Sequence, residues 1–165
     1  QDQWRPQISR GDAVLIPEGY VGDLQVRLGL YRRLSGLSSR EEIDGFGSEL
    51  IDRFGPLPSE VSHLLDVVEI KALCRRAGIA TLDAGPRGAS VGFRKGQFSN
   101  PDALVKLIAA SRGMLKIQQP TGGPPKANKD PEMKLVFKAD WEAPAARMKG
   151  ARGFVAELAR IAEAG

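Results

Sequence analysis

The first half of the chain carries apolar residues at the spacing of amphipathic helices. In its first periodic segment they recur at intervals of four, three and three positions, at Leu24, Leu28, Tyr31 and Leu34. Asp23 stands before them as a possible N-cap, and Ser35-Gly36 follows as a possible end. The pattern therefore predicts a first helix with these four residues on one apolar face.

Two more helices are predicted before the pattern changes. Ser38-Ser39-Arg40-Glu41-Glu42 contains two overlapping capping boxes, and Gly55-Pro56 stops the following helix at about Phe54. The apolar face of this second helix is predicted to consist of Ile43, Phe46, Leu50, Ile51 and Phe54. Ser59-Glu60 begins a third helix that Gly78 ends, with apolar residues at Val61, Leu64, Leu65, Val68, Leu73 and Ala77.

Beyond Gly78 the apolar residues form the short runs that are typical of strands. Residues 79–84 and 89–93 flank Gly85-Pro86-Arg87-Gly88, which is a hairpin signal. Further strands are predicted at residues 13–16, 115–118 and 135–138, and further helices at residues 103–111 and 145–164. The proline-rich stretch 120–131 is predicted to be a mobile loop. This order predicts an α+β fold, with N-terminal helices followed by a small mixed or antiparallel sheet and interleaved helices.

The length of 165 residues fits one domain with a short attached piece. Residues 1–22 are interpreted as a segment that comes from an upstream module, and residues 23–165 as the domain itself. Because the chain lacks an initiator methionine and any apolar leader, we expect a fragment of a longer cytoplasmic protein that does not enter a membrane.

The side chains available for chemistry are few. One cysteine, Cys74, excludes an internal disulfide framework and a cysteine-cluster zinc site, and one histidine, His63, excludes a histidine-rich metal site. Gly88-Ala89-Ser90-Val91-Gly92 matches the G-x-S-x-G string of hydrolases, but Ser90 lies inside a predicted strand and His63 precedes it. Gly122-Gly123 lacks the Lys-Ser/Thr of a phosphate-binding loop. We therefore expect no catalytic residue, cofactor or metal in this piece.

The charge is unevenly distributed along the chain. Residues 1–83 carry 10 Lys/Arg and 13 Asp/Glu, whereas residues 84–165 carry 14 and 7. A basic nucleic-acid-binding module is therefore an alternative function, although such an excess is more often solvated surface. Its charge would come from Arg87, Arg94, Lys95, Lys106, Arg112, Lys116, Lys126, Lys129, Lys134 and Lys138.

Residues 13–80 contain strings that are more specific than composition. Leu15-Ile16-Pro17-Glu18-Gly19-Tyr20-Val21 is followed by Leu30-Tyr31-Arg32-Arg33-Leu34 and by Glu49-Leu50-Ile51-Asp52-Arg53-Phe54-Gly55-Pro56-Leu57-Pro58. In order and spacing they resemble the C-terminal domain of bacterial transcription-repair coupling factors (Mfd). Gly22 departs from this pattern, because the family usually has proline there.

The resemblance implies a role without chemistry in this piece. The family's full protein is an ATP-driven translocase on double-stranded DNA that displaces stalled RNA polymerase and recruits UvrA. Its C-terminal domain is a regulatory clamp, which packs on an N-terminal UvrB-like module of the same chain and hides the UvrA-binding face. The resemblance also implies that residues 1–22 come from the translocase module.

Charged residues of the second helix supply the candidate interface. Glu49 and Asp52 are three residues apart on a helix, so their carboxylates share a face that can receive arginines of a partner. Taken alone, the residues favour a solvated face with Arg53 as a local partner. The resemblance favours an intramolecular interface formed by Glu49, Asp52 and Arg53. Arg32-Arg33 is left open between solvent and a neighbouring domain.

Overall fold

The computed structural model describes residues 7–9, 15–118 and 133–164. The chain divides into two compact units, which are the helical unit, residues 11–72, and the sheet unit, residues 1–10 with 73–165. The predicted domain boundary after residue 22 stays a prediction. The predicted loop at residues 120–131 lies outside the described residues.

The helical unit forms where the sequence places its capping residues. It contains α1 (Leu24–Leu34), α2 (Arg40–Phe54) and most of α3 (Ser59–Ala77). Asp23 accepts a hydrogen bond from the backbone N–H of Val26, and Ser39 with Glu42 forms a complete capping box. The buried core of the unit consists of Ile16, Val21, Leu30, Leu34, Phe46, Leu50 and Val61.

The apolar face predicted for α1 is wrong in half of its members. Leu24 and Leu28 are 56% and 40% exposed, whereas Leu30 and Leu34 are buried. The helix carries two apolar stripes, and spacing alone does not decide which one faces the core. Packing against the rest of the unit buries Leu30 and Leu34. The guanidinium of Arg27 donates to two carbonyl oxygens of the turn that precedes α1.

The face predicted for α2 needs one correction. Ile51 is 47% exposed, and Gly47 is buried in its place. A Cβ atom at Gly47 would lie 3.3 Å from Leu65 Cδ1 of α3. Helix α3 therefore packs closely against α2 at Gly47, and Ile51 lies at the edge of the contact between the two helices.

The sheet unit contains a five-stranded sheet in the order β1-β2-β3-β5-β4. Its elements are β1 (Gln7–Ser9), β2 (Ile79–Gly85), β3 (Gly88–Phe93), α4 (Pro101–Ala110), β4 (Leu115–Gln118), β5 (Lys134–Lys138) and α5 (Pro144–Glu163). β1 pairs with β2 in parallel, and all other pairs are antiparallel. The α+β prediction, with a mixed sheet and interleaved helices, is confirmed.

The N-terminal strand lies earlier in the chain than predicted. Strand β1 occupies Gln7–Ser9, and the predicted strand at residues 13–16 is wrong at the two positions that are described. Leu15 and Ile16 have no regular structure, because Ile16 joins the helical core and its N–H donates to the Tyr31 hydroxyl at 2.5 Å. Ile16 is thus buried without a strand partner, whereas Leu15 is 64% exposed.

Candidate interaction surface on helix α2

The carboxylate of Glu49 is held between two arginines. Arg33 of α1 donates two hydrogen bonds of 2.7 Å to the two carboxylate oxygens, and Arg53 adds one of 2.9 Å. The hydrogen bonds from Arg33 and then Arg53 lower the pKa of Glu49 from 4.5 to about 2. Glu49 therefore stays ionised under ordinary conditions, and its charge is already neutralised within the chain.

Both arginines also rest on aromatic rings. The guanidinium carbon of Arg33 lies 4.9 Å from the ring centroid of Phe46, and that of Arg53 lies 4.8 Å from the ring centroid of Phe54. Because Phe46 is buried and Phe54 packs against the core, the rings hold the guanidinium groups in place. The result is a charged surface with fixed side chains.

Asp52 is the fourth charged residue of this group and, unlike Glu49, is not paired. It is exposed and makes no hydrogen bond or ion pair with any residue that the structure describes. Arg33, Glu49, Asp52 and Arg53 together are called the α2 surface. It is neutral in sum and offers one unpaired carboxylate beside two arginines with unused N–H donors.

The structure brings the three sequence-predicted residues together but changes the role of one. Glu49 is 35% exposed and already paired, so it is not the open receptor for partner arginines that its spacing suggests. Arg53 is its local partner, as expected. Arg33 is the member that spacing arguments missed, because it lies 16 residues away on another helix. Arg32 and Arg33 are both exposed, and Arg33 is the one that pairs with Glu49.

The end of α2 is held by Tyr20 and Gly55. Gly55 has φ 95° and ψ −172°, a region open almost only to glycine, so the predicted stop after Phe54 needs the conformational freedom of this residue. The Tyr20 hydroxyl lies 2.7 Å from the Gly55 carbonyl oxygen and 3.1 Å from that of Leu50. The helix that carries Glu49, Asp52 and Arg53 thus ends at a defined point.

Other candidate residues occupy positions without reactive geometry. Ser90 lies inside β3, and His63 is half-buried on α3. Burial raises the pKa of the Cys74 thiol to about 12. In the described ranges, no group of three or more potential metal-ligating His, Cys, Asp or Glu residues is found, and no helix there could cross a membrane.

Glu49 should make the fold sensitive to acid. A folded pKa below the unfolded one stabilises the fold above the unfolded value of 4.5, and this contribution disappears as the pH falls to about 2. We expect Glu49→Gln to unfold at a lower urea concentration than the wild type near neutral pH. The difference between the two urea midpoints should disappear as the pH falls from 4.5 to about 2. Asp52→Asn is the control, since it removes no described hydrogen bond. A gap that stays constant between these pH values would contradict the pairing.

Comparison with known proteins confirms the resemblance found in the sequence. The family model of the TRCF domain matches residues 12–104. A transcription-repair-coupling factor of Rickettsia conorii is 42% identical over 132 residues, which are 80% of this chain and 11% of that protein. That of Escherichia coli is 27% identical over 144 residues, 87% of this chain and 12% of that protein. The chain thus spans about a tenth of these relatives.

Comparison of the fold with solved structures gives a match in the same group of proteins. A crystal structure of the C-terminal domain of a transcription-repair coupling factor superposes with a TM-score of 0.70 at 19% identity. The match covers 98% of this chain and 96% of that one, so both units of the fold are included. Since the family model also spans more than half of the sequence, the chain belongs to the TRCF domain family of transcription-repair coupling factors.

Proposed function

We propose that this domain is a non-catalytic regulatory clamp that binds an N-terminal UvrB-like module of the same protein. The observation that carries the proposal is the α2 surface. Its arginines are fixed by Glu49 and by two aromatic rings before any partner arrives. A surface with pre-ordered long side chains loses less conformational entropy on binding than a mobile one, which favours recognition of a protein.

The chemistry of the α2 surface indicates what it contacts. Asp52 is free to pair with a cation of the module, and the unused N–H donors of Arg33 and Arg53 can bind a carboxylate or carbonyl oxygen. The complementary surface therefore carries both signs of charge. Exposed Ile51 beside Asp52 adds an apolar contact.

The proposed clamp acts within a larger protein, since relatives of this chain are about seven times as long. In that protein the remaining modules translocate on double-stranded DNA, displace RNA polymerase and recruit UvrA, and the clamp hides the UvrA-binding face until it is released. An intramolecular contact can be weak and still hold, because tethering raises the effective concentration to about the millimolar range.

The absence of catalysis is part of the proposal. The serine of a G-x-S-x-G hydrolase stands on a sharp strand-to-helix turn, whereas Ser90 lies inside β3 and pairs with Asp83 and Val136. Cys74 is buried and its thiol is protonated near neutral pH. No cofactor or metal is assigned to the domain.

Deleting the domain from the full-length protein should raise its basal ATPase rate and its binding of UvrA. The reason is that the restraint on the motor and the cover of the UvrA-binding face are lost together. The measurement is steady-state ATP hydrolysis and UvrA pull-down of intact and truncated protein. A truncated protein that is no more active and binds UvrA no better would contradict the clamp.

A second candidate function rests on the face of the sheet opposite α4 and α5. Lys134 and Lys138 share this face with Val136, and Lys116 is opposite Val136 in the register. Asp83, at 3.9 Å from Lys134, offsets part of the charge. Three lysines on one face fit the phosphate backbone of duplex DNA.

A salt titration of duplex DNA binding tests this second function. Lys116→Glu with Lys138→Glu should weaken binding and reduce the slope of log K against log salt by roughly two. Lys106→Glu with Lys149→Glu, on α4 and α5, is the matched control and should change neither. An equal loss of DNA affinity in both variants would show that the net charge of the chain alone attracts the DNA.

A further inference from the structure

A groove runs between α2 and α3, beside the α2 surface. It has a volume of about 330 Å³, and its whole lining belongs to the helical unit. The apolar part of the lining is formed by Gly47, Ile51, Leu57 and Leu65. We propose that this groove seats one apolar side chain of the UvrB-like module, and that this anchor holds the clamp more strongly than any single ion pair of the α2 surface. The inference rests on the proposed clamp and names the apolar contact that the clamp uses.

The apolar part of the groove lies where α3 approaches a glycine of α2. A Cβ atom at Gly47 would lie 3.3 Å from Leu65 Cδ1 and 4.0 Å from Leu57 Cδ1. Both leucines are half-buried, so neither is fully covered by the helices. Ile51 lies one turn after Gly47 on the same side of α2 and is 47% exposed. Three aliphatic side chains thus form a concave apolar site that is partly open to solvent.

The charged residues of the lining already have partners within the chain. Arg40 donates to Glu69 at 2.7 Å and to Asp44 at 3.2 Å, and Asp66 also has a partner. Arg40 begins α2 and Ile51 lies about three turns further on, so the ion pairs of Arg40 close one end of the groove. The other end is bordered by Ile51 and is apolar. The side chain that fits this end is therefore apolar as well.

The apolar end of the groove adjoins the α2 surface. Ile51 directly precedes Asp52, and Ser48 of the groove lining lies one turn before Asp52 on the same face of α2. A module that pairs with Asp52 therefore also covers the apolar end of the groove. One continuous surface of the module supplies both the cation for Asp52 and the apolar side chain for the groove.

An apolar anchor is needed because exposed ion pairs contribute little to binding. A surface ion pair typically improves affinity by about fivefold or less, and salt weakens it further. Burial of a side chain of the size of leucine or phenylalanine improves affinity by about tenfold to a hundredfold. Interfaces typically concentrate their affinity in a few such buried side chains with polar contacts around them. The groove gives the α2 surface a site of this kind.

The test compares the affinity of full-length variants for UvrA. Ile51→Ser removes one wall of the groove without adding charge, Ser62→Phe fills the groove from α3, and Ile51→Leu keeps the apolar wall. Leu28→Ser is the matched control, because Leu28 is a 40% exposed apolar residue of α1 that does not line the groove. Deletion of the domain and the double change Glu49→Arg with Asp52→Arg test the clamp itself. Thermal unfolding of each 165-residue variant checks that the domain stays folded.

A weaker clamp exposes the UvrA-binding face for a larger fraction of the time, so the apparent affinity for UvrA rises. We expect Ile51→Ser and Ser62→Phe to tighten UvrA binding by about threefold to tenfold, with the deletion as the upper limit. Ile51→Leu and Leu28→Ser should stay within about twofold of the wild type.

The outcomes separate the groove from the clamp. If the deletion and the Glu49 and Asp52 variant tighten UvrA binding but Ile51→Ser and Ser62→Phe do not, the groove inference is overturned and the clamp stands. If Leu28→Ser acts as strongly as Ile51→Ser, loss of any exposed apolar residue has this effect and the groove inference is again overturned. If the deletion itself changes nothing, both the clamp and the groove inference are overturned.

Discussion

Replacing Glu49 and Asp52 together by arginine should leave the domain folded and open the proposed clamp. Both positions lie on the outer side of α2, whose core side is Ile43, Phe46 and Leu50. The change places four arginines on the α2 surface. Cations of the UvrB-like module then meet repulsion in place of a carboxylate, which weakens such interfaces by about tenfold to several hundredfold.

The expected readout is an ATPase rate and UvrA binding of the full-length variant close to those of the domain deletion. Glu41→Arg with Glu60→Arg is the matched control, because it makes the same change of charge at exposed helix positions away from the α2 surface. A cooperative fold with repressed activity in the Glu49 and Asp52 variant would show that the α2 surface is merely solvated. Equal activation in the control would show an effect of net charge.

Gly88→Ala should destabilise the sheet unit severely. Gly88 has φ 128°, and a Cβ atom there would lie 1.9 Å from the carbonyl oxygen of Phe137 on the paired strand. Backbone on both sides must shift, so we expect a loss of about 3–5 kcal/mol in the free energy of unfolding. In thermal unfolding this corresponds to a decrease in Tm of about 10 °C or more.

Gly85→Ala is the matched control for the hairpin. Gly85 pairs with Gly88 across the same turn, and a Cβ atom at Gly85 would meet nothing within 4 Å. Its Tm should stay close to that of the wild type. Equal losses in both variants would mean that the turn itself, and not the approach of Phe137, makes glycine necessary at Gly88.

Local signals in the sequence predicted most element boundaries. Asp23 and the capping box of Ser39 with Glu42 form their hydrogen bonds within three residues, so the local sequence contains each partner. The hairpin around Gly85-Pro86-Arg87-Gly88 is also a short-range feature. Such elements can be predicted because their stabilising contacts are close in sequence.

The features that the sequence did not predict depend on contacts between residues that are far apart along the chain. β1 pairs with Thr81 and its neighbours, more than 70 residues away, and the buried stripe of α1 depends on packing against other elements. Arg33 reaches Glu49 from another helix and turns a predicted open carboxylate into a paired one. The groove between α2 and α3 needs the positions of both helices. Spacing along the chain contains none of this information.

The central claim is that this domain binds the UvrB-like module through the α2 surface. Mixing the 165-residue chain with the separately produced module in a calorimeter tests it most directly. The clamp predicts saturable binding, weak enough to need tethering, and a loss of about tenfold or more in the Glu49→Arg and Asp52→Arg variant. No binding at millimolar concentrations, or the same affinity for the wild type and this variant, would contradict the account.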